Sequence, residues 1–229
     1  LVPEAHVLAE LSYQEAMELA YFGASVLHPS TIAPAVAADV TVTIKNTFAP
    51  EVPGTRISAH GSADFAIKGF TTVDDIALVN LEGTNMLGVP GIASRLFGAL
   101  REAQVSVIMI SQASSEHSIC FAVPSAQAER VREVVERAFF AERHQGQLQT
   151  LEIVTPCSIL AAVGDQMAGQ VGLAGRLLEA LGNAGVNIRA IAQGSSERNV
   201  SVVVDQREAQ RALRAAHSSF YLSHKTLSI

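Results

Sequence analysis

Gln112-Ala113-Ser114-Ser115-Glu116 recurs as Gln193-Gly194-Ser195-Ser196-Glu197, at an offset of 81 residues. The same offset carries Gly83 onto Gly164, Met86 onto Met167 and Gly91 onto Gly172. It carries Arg95, Leu96 and Leu100 onto Arg176, Leu177 and Leu181. Farther along, Val105, Ile110 and Val123 fall on Val186, Ile191 and Val204. The register holds without a gap from Gly83 to Val123, so the chain contains two copies of one structural unit. Two copies are too few for a solenoid, which needs stacked neighbours. Two small domains packed together fit better, and two related copies suggest two related binding sites.

Each copy has its own periodicity. Ile76 to Glu82 reads as a strand, Gly83 to Gly91 as a glycine-rich turn, and Ile92 to Ala103 as a helix. Val105 to Ser111 and Ser118 to Val123 form a hairpin. Ser125 is expected to cap a helix that runs to about Phe140, and Leu148 to Thr155 supplies a closing strand. The order strand, helix, strand, strand, helix, strand is the ferredoxin-like pattern. The second copy repeats it with strands Cys157 to Val163, Val186 to Gln193 and Val200 to Asp205, and helices Val171 to Ala184 and Arg207 to His217. Its closing strand is not evident. Val40 to Lys45, or the tail after Phe220, is expected to fill that slot. The fold class is therefore α+β, with tandem ferredoxin-like units.

Ahead of the repeats, residues 12 to 26 read as a helix, with Ser12 and Glu15 as a capping box. Pro29 opens a short second helix, Val40 to Ile44 reads as a strand, and Gly61 to Asp64 as a mobile linker. The expected division is 1–60, 74–156 and 157–229.

Composition narrows the function. The chain has 229 residues, 48% of them hydrophobic and 17% charged, as in a globular protein. A net charge of −6 opposes a nucleic-acid platform. No apolar run reaches membrane-span length, so a cytoplasmic location without nucleic acid or membrane partners is expected. Leu1-Val2-Pro3-Glu4 shows no signal-peptide pattern and reads as the start of an excised piece. Cys120 and Cys157 lie in apolar runs and read as buried thiols, and the scattered histidines read as structural. No Cys/His spacing suits a metal, no phosphate loop or Gly-x-Gly-x-x-Gly turn exists, and no nucleophile triad is legible.

A ligand role has a physical basis in the turns. Gly88, Pro90 and Gly91 bring backbone amides to a helix start, where a carboxylate is attracted. The strand ending at Gln112 offers carbonyls to an ammonium group. A glutamine side chain donates and accepts at once, which suits a ligand hydroxyl.

A split unit with a glycine at its first strand–helix turn resembles the ACT domain, a small-ligand regulatory module usually for amino acids. Leu11-Ser12-Tyr13-Gln14-Glu15-Ala16-Met17-Glu18-Leu19, Val26-Leu27-His28-Pro29 and Ile44-Lys45-Asn46-Thr47-Phe48 resemble the end of an aspartokinase catalytic domain. The doubled Gln-x-Ser-Ser-Glu resembles the regulatory repeats of bifunctional aspartokinase/homoserine dehydrogenases. The resemblance implies an allosteric sensor, most simply of threonine, with lysine as the alternative effector and an oligomerisation platform as a further role. It implies ATP and NAD(P) for the full-length enzyme and no cofactor for this region. With neither nucleotide loop present, the chain itself is expected to be catalytically silent. The implied ligand residues are Gly88, Val89, Pro90, Gly91, Ile110, Gln112 and Ser115 in the first copy. In the second they are Val171, Gly172, Ile191, Gln193 and Ser196. Self-association through the repeats is expected as well.

Overall fold

The computed structural model describes residues 2–23, 27–83, 91–112, 118–146 and 150–221. The N-terminal part forms a small three-stranded sheet with two helices. Strand β1 (Glu10–Ser12) leads into helix α1 (Tyr13–Tyr21). Ser12 caps α1 as its sequence implies: Glu15 N–H donates to Ser12 Oγ at 3.0 Å, and Ser12 N–H donates to Glu15 Oε2 at 2.9 Å. The helix ends at Tyr21, short of the expected end at residue 26, with Gly23 in the left-handed region at φ 98°. Helix α2 (Pro29–Ala37) begins with proline and is capped by His28, whose Nδ1 accepts from Ser30 N–H at 3.3 Å. Strands β2 (Val42–Ile44) and β3 (Thr55–Ser58) complete the sheet in the order β1-β3-β2. Leu11, Tyr13, Ala16, Ile32 and Ile57 form its core.

Gly61 does not behave as part of a loose linker. A Cβ there would lie 2.6 Å from Glu15 Oε2 and 2.8 Å from Ser12 N, so the chain passes tightly over the capping box.

The repeats build one six-stranded sheet. Its strands are β4 (Gly69–Glu82), β5 (Met109–Gln112), β6 (Ser118–Pro124), β7 (Thr150–Val163), β8 (Ile188–Gln193) and β9 (Asn199–Asp205), in the order β5-β6-β4-β7-β9-β8. The helices are α3 (Ile92–Glu102), α4 (Ala128–Ala138), α5 (Phe140–His144), α6 (Leu173–Asn183) and α7 (Ala209–Tyr221). Side chains alternate across each strand. Ala77, Val79, Leu81, Ile119, Phe121 and Val123 pack with Leu96, Leu100, Val131 and Val135 of the first helix pair. Leu160, Ala162, Val200, Val202 and Val204 pack with Leu177, Leu181, Ala212 and Ala216 of the second. Most positions of these cores correspond at the 81-residue offset, from Val79 and Leu160 to Phe139 and Phe220, although Ala77 falls on Ser158 and Leu213 on Arg132. Each fully buried leucine contributes about 1.5–3 kcal/mol of apolar burial.

The closing strand of the second copy is the main departure from the sequence reading. Val40 to Lys45 does not supply it, because β2 pairs with β3 instead. Residues beyond Tyr221 lie outside the described set, and the slot is already filled. Gly69 to Val73, the first half of β4, pairs antiparallel with Ile159 to Val163 of β7. The second half of β4 opens the first copy, and Thr150 to Val154 of β7 closes it. Each long strand therefore serves both copies. The register shifts at Val73, Ile76 and Leu78, as at a bulge, and bulges bend strands. Asp75 sits there with φ 58°, tolerable for an aspartate, and is tied at both backbone and carboxylate to the Gln206 side chain at 3.1 Å.

The sheet coils until its ends approach each other. Ser111 Oγ on β5 donates to the Ile191 carbonyl on β8 at 2.8 Å, although these strands lie at opposite ends of the strand order. The helix-free faces of the two halves enclose a third core of Ile76, Leu78, Met109, Ala122, Cys157, Ile159, Ala161 and Val203.

Ser125 does not cap α4. Residues Ser125–Gln127 form a 3₁₀ turn without a side-chain cap, and Ser125 Oγ instead meets Thr155 Oγ1 at 2.7 Å. The equivalent turn in the second copy is capped by Asp205, which accepts from Arg207 N–H at 3.1 Å and from its guanidinium at 3.0 Å. Those bonds hold the Asp205 carboxyl down to about 2. The group is depressed, so its contribution is complete above the unfolded-state value of about 3.9 and is lost as pH falls through about 2. A carbon-detected NMR titration should place the Asp205 midpoint near 2, and a midpoint near 4 would remove the cap.

Candidate functional site

Both repeats start their first helix in the same way. Gly91 and Gly172 are the N-caps of α3 and α6, at φ 92° and 84°, and neither helix has a side-chain cap. A Cβ at either glycine would meet open space, so backbone conformation rather than room requires glycine. The first amides of each helix, at Ile92 to Ser94 and Leu173 to Gly175, have no intrahelical acceptor. A small anion can take them together with the positive end of the helix.

The glutamines lie on the matching face. In β5, Ile110 pairs with Phe121 and Gln112 with Ile119, so both face the helix side. In β8, Ile191 pairs with Val202 and Gln193 with Val200, again on the helix side. Gln112 and Gln193 are exposed at the strand ends, and Ile110 and Ile191 retain 48% and 42% exposure. Val171 is fully exposed, and Ser196 is exposed in the turn after β8. Gly88, Val89, Pro90 and Ser115 lie outside the described residues.

The second copy's expected residues do not converge on one cavity. Val171 and Gly172 line a hollow of about 310 Å³ with Phe65, Ala66, Ile67, Gln170, Leu173, Arg176 and Phe220. Ile191 and Gln193 are not among its walls. The two sides are joined through the turn after Gln193: Gly169 N–H donates to Glu197 Oε2 at 2.7 Å. Glu197 holds φ 55° in that turn. Asp165 and Arg198 pair across the same gap at 3.1 Å.

Several contributors are not evident from the sequence. The Arg176 guanidinium stacks 4.5 Å from the Phe220 ring and donates to the Ser219 carbonyl. Arg95 stacks 4.2 Å from Phe139 and pairs with Glu142. The two arginines and the two phenylalanines are again 81 residues apart, so the offset could have found these clamps. Backbone at Ala66 packs against Gly164, where a Cβ would lie 2.1 Å from the Ala66 carbonyl oxygen. No sequence signal marks that approach.

The thiols are not arranged for chemistry. Burial pushes the Cys120 and Cys157 thiols up from their ordinary value, the opposite of an activated nucleophile. Among the described residues, no group of three or more His, Cys, Asp or Glu is placed to hold a metal ion, and no helix is long and apolar enough to cross a membrane.

Comparison with known proteins agrees with this duplication. A family described as ACT domain matches residues 79–139 and again 160–220. Bifunctional aspartokinase/homoserine dehydrogenase 1, chloroplastic, of Arabidopsis thaliana is 51% identical over 100% of this chain and 26% of its own length. The bifunctional aspartokinase/homoserine dehydrogenase of Haemophilus influenzae is 44% identical over 100% of this chain and 28% of its own. The chain thus spans about a quarter of these curated relatives. The crystal structure of Clostridium acetobutylicum aspartate kinase superposes with a TM-score of 0.86 and 27% identity, covering 96% of this chain and 50% of that one. Two helix starts with the same left-handed glycine, two glutamines in the same register and two profile matches describe one domain used twice: the chain belongs to the ACT-domain family.

Proposed function

We propose that the chain is the effector-sensing regulatory region of a bifunctional aspartokinase/homoserine dehydrogenase, and that threonine is its effector. Residues 1–60 are read as the end of the kinase domain, and the two repeats as its sensor. The observation that carries this reading is the doubled pairing of an uncapped, glycine-started helix with a glutamine exposed on the same face of the neighbouring edge strand. An amino-acid carboxylate suits the free helix amides. Its hydroxyl suits the glutamine amide, which donates and accepts.

Lysine fits the second copy less well. Its side-chain ammonium needs a carboxylate, and none of Val171, Gly172, Ile191, Gln193 and Ser196 carries one. Self-association is a further part of the reading, because Ile110 and Ile191 leave large apolar side chains exposed on β5 and β8. ATP and NAD(P) belong to the catalytic domains of the parent, which acts on aspartate and on aspartate semialdehyde. The compartment follows the parent: the Arabidopsis relative is named chloroplastic, and cytoplasm suits a bacterial parent.

In the full-length enzyme, Gln112→Ala and Gln193→Ala should each relieve threonine inhibition. Loss of one hydrogen-bonding side chain from a buried polar contact costs about 1–3 kcal/mol, roughly tenfold to hundredfold in affinity. Inhibition curves for both activities test this. Normal folding with unchanged threonine sensitivity in both variants would remove the glutamines from the site.

A further inference from the structure

Glu15 is buried to 1% exposure, and its two carboxylate oxygens serve two different parts of the molecule. Oε2 accepts from Ser12 N–H at 2.9 Å and closes the capping box of α1. Oε1 accepts from Asp165 N–H at 2.9 Å. Asp165 is the first residue of the turn between β7 and α6, in the second ACT copy. A capping box does not require this second bond, since a glutamine serves in that position as well as a glutamate. The far side of the same turn is held from the segment that follows Gln193. Gly164 N–H donates to the Arg198 carbonyl at 3.0 Å, Asp165 pairs with Arg198 at 3.1 Å, and Gly169 N–H donates to Glu197 at 2.7 Å. The turn therefore has one grip on the candidate effector side and one grip on α1.

We infer that Glu15 is the positioning residue that couples effector occupancy of the second ACT copy to α1, and through α1 to the kinase domain. This rests on the functional reading above. A shift of the 194–198 turn on ligand binding moves Asp165. The Asp165 amide then carries the shift to a carboxylate that cannot move without disturbing the start of α1. Gly61 packs beside that carboxylate, where a Cβ would come within 2.6 Å of Oε2.

The test uses the full-length enzyme. Glu15→Gln keeps the size of the side chain and keeps one acceptor oxygen, enough for the capping box but not for both donors. Asp165→Pro removes the same N–H from the other side together with the carboxylate that pairs with Arg198, so its effect is read against Asp165→Ala, which loses the carboxylate alone. Proline is suited to the first position of a helical turn, and Gly164, extended at ψ 136°, accepts a following proline. Glu15→Gln and Asp165→Pro should each raise the threonine concentration that half-inhibits the kinase by roughly tenfold, a usual size for allosteric coupling. Threonine binding by equilibrium dialysis should persist, and threonine inhibition of the dehydrogenase should stay at its wild-type level. Ser12→Ala weakens the α1 cap alone and should leave kinase sensitivity unchanged. Wild-type inhibition curves in both folded variants would overturn the inference. Equal desensitisation by Ser12→Ala would also overturn it, because helix stability alone would then explain the effect. If wild-type enzyme neither binds nor responds to threonine, it is the functional reading that fails.

Discussion

A chain that begins at Asp74 is expected to lose the fold of its second ACT copy while keeping the first. The first copy needs only the second half of β4 and the first half of β7, together with α3, β5, β6 and α4, and all remain. The second copy loses Gly69 to Val73, the partners of Ile159 to Val163. Those five β7 residues are fully buried, so removal of the strand leaves an apolar edge open to solvent. Unpaired edges of that kind drive association with other chains. A chain beginning at Phe65 retains the strand and should retain the second copy. Amide NMR spectra of the two chains give the answer. Native dispersion for α6, β8 and β9 in the shorter chain would mean that another segment fills the slot.

Gly164→Val should be the most damaging single substitution in the second copy. Its φ of 176° is ordinary extended backbone, so strain is not the issue. The cost comes from the Ala66 carbonyl oxygen, 2.1 Å from where a Cβ must sit. That oxygen belongs to backbone and cannot rotate aside. The 66–68 segment would have to lift, breaking the 2.7 Å bond from Lys68 N–H to the Val163 carbonyl. That bond leads directly into the pairing of Gly69 with Val163. Overpacking costs about 1–3 kcal/mol where neighbours can adjust and more where they cannot, so a loss of at least about 3 kcal/mol is expected. Gly98→Ala in α3, where a Cβ meets open space, should instead stabilise by about 0.5–1 kcal/mol. Urea unfolding of the two variants reads both signs. Near-wild-type stability of Gly164→Val would mean the close approach is not fixed.

The duplication, the two cores and the start of α3 were legible because the 81-residue register ties apolar positions of one copy to those of the other. By contrast, α6, α4 and α7 begin at Leu173, Ala128 and Ala209, past the expected Val171, Ser125 and Arg207. Val79 and Leu160, or Leu100 and Leu181, declare themselves by pattern alone. The shared strand was not legible. Thr71-Thr72-Val73-Asp74-Asp75 lacks apolar alternation, and the register shifts beside its two acids. Its place is set by β7, an interaction between distant segments. Gly61 read as a linker because nothing in its neighbours reveals that it passes over Glu15. For the site, the offset identified Gln112 and Gln193, and the pairing of β5 and β8 gives both the same face. Gln193 and Gly172 do not line one cavity, and no local pattern encodes their separation.

Titration calorimetry of this chain with threonine, and separately with lysine, tests the central claim most directly. The account expects saturable heat with threonine, weakened roughly tenfold or more by Gln193→Ala, and little or none with lysine. Saturable heat with lysine and none with threonine would contradict it.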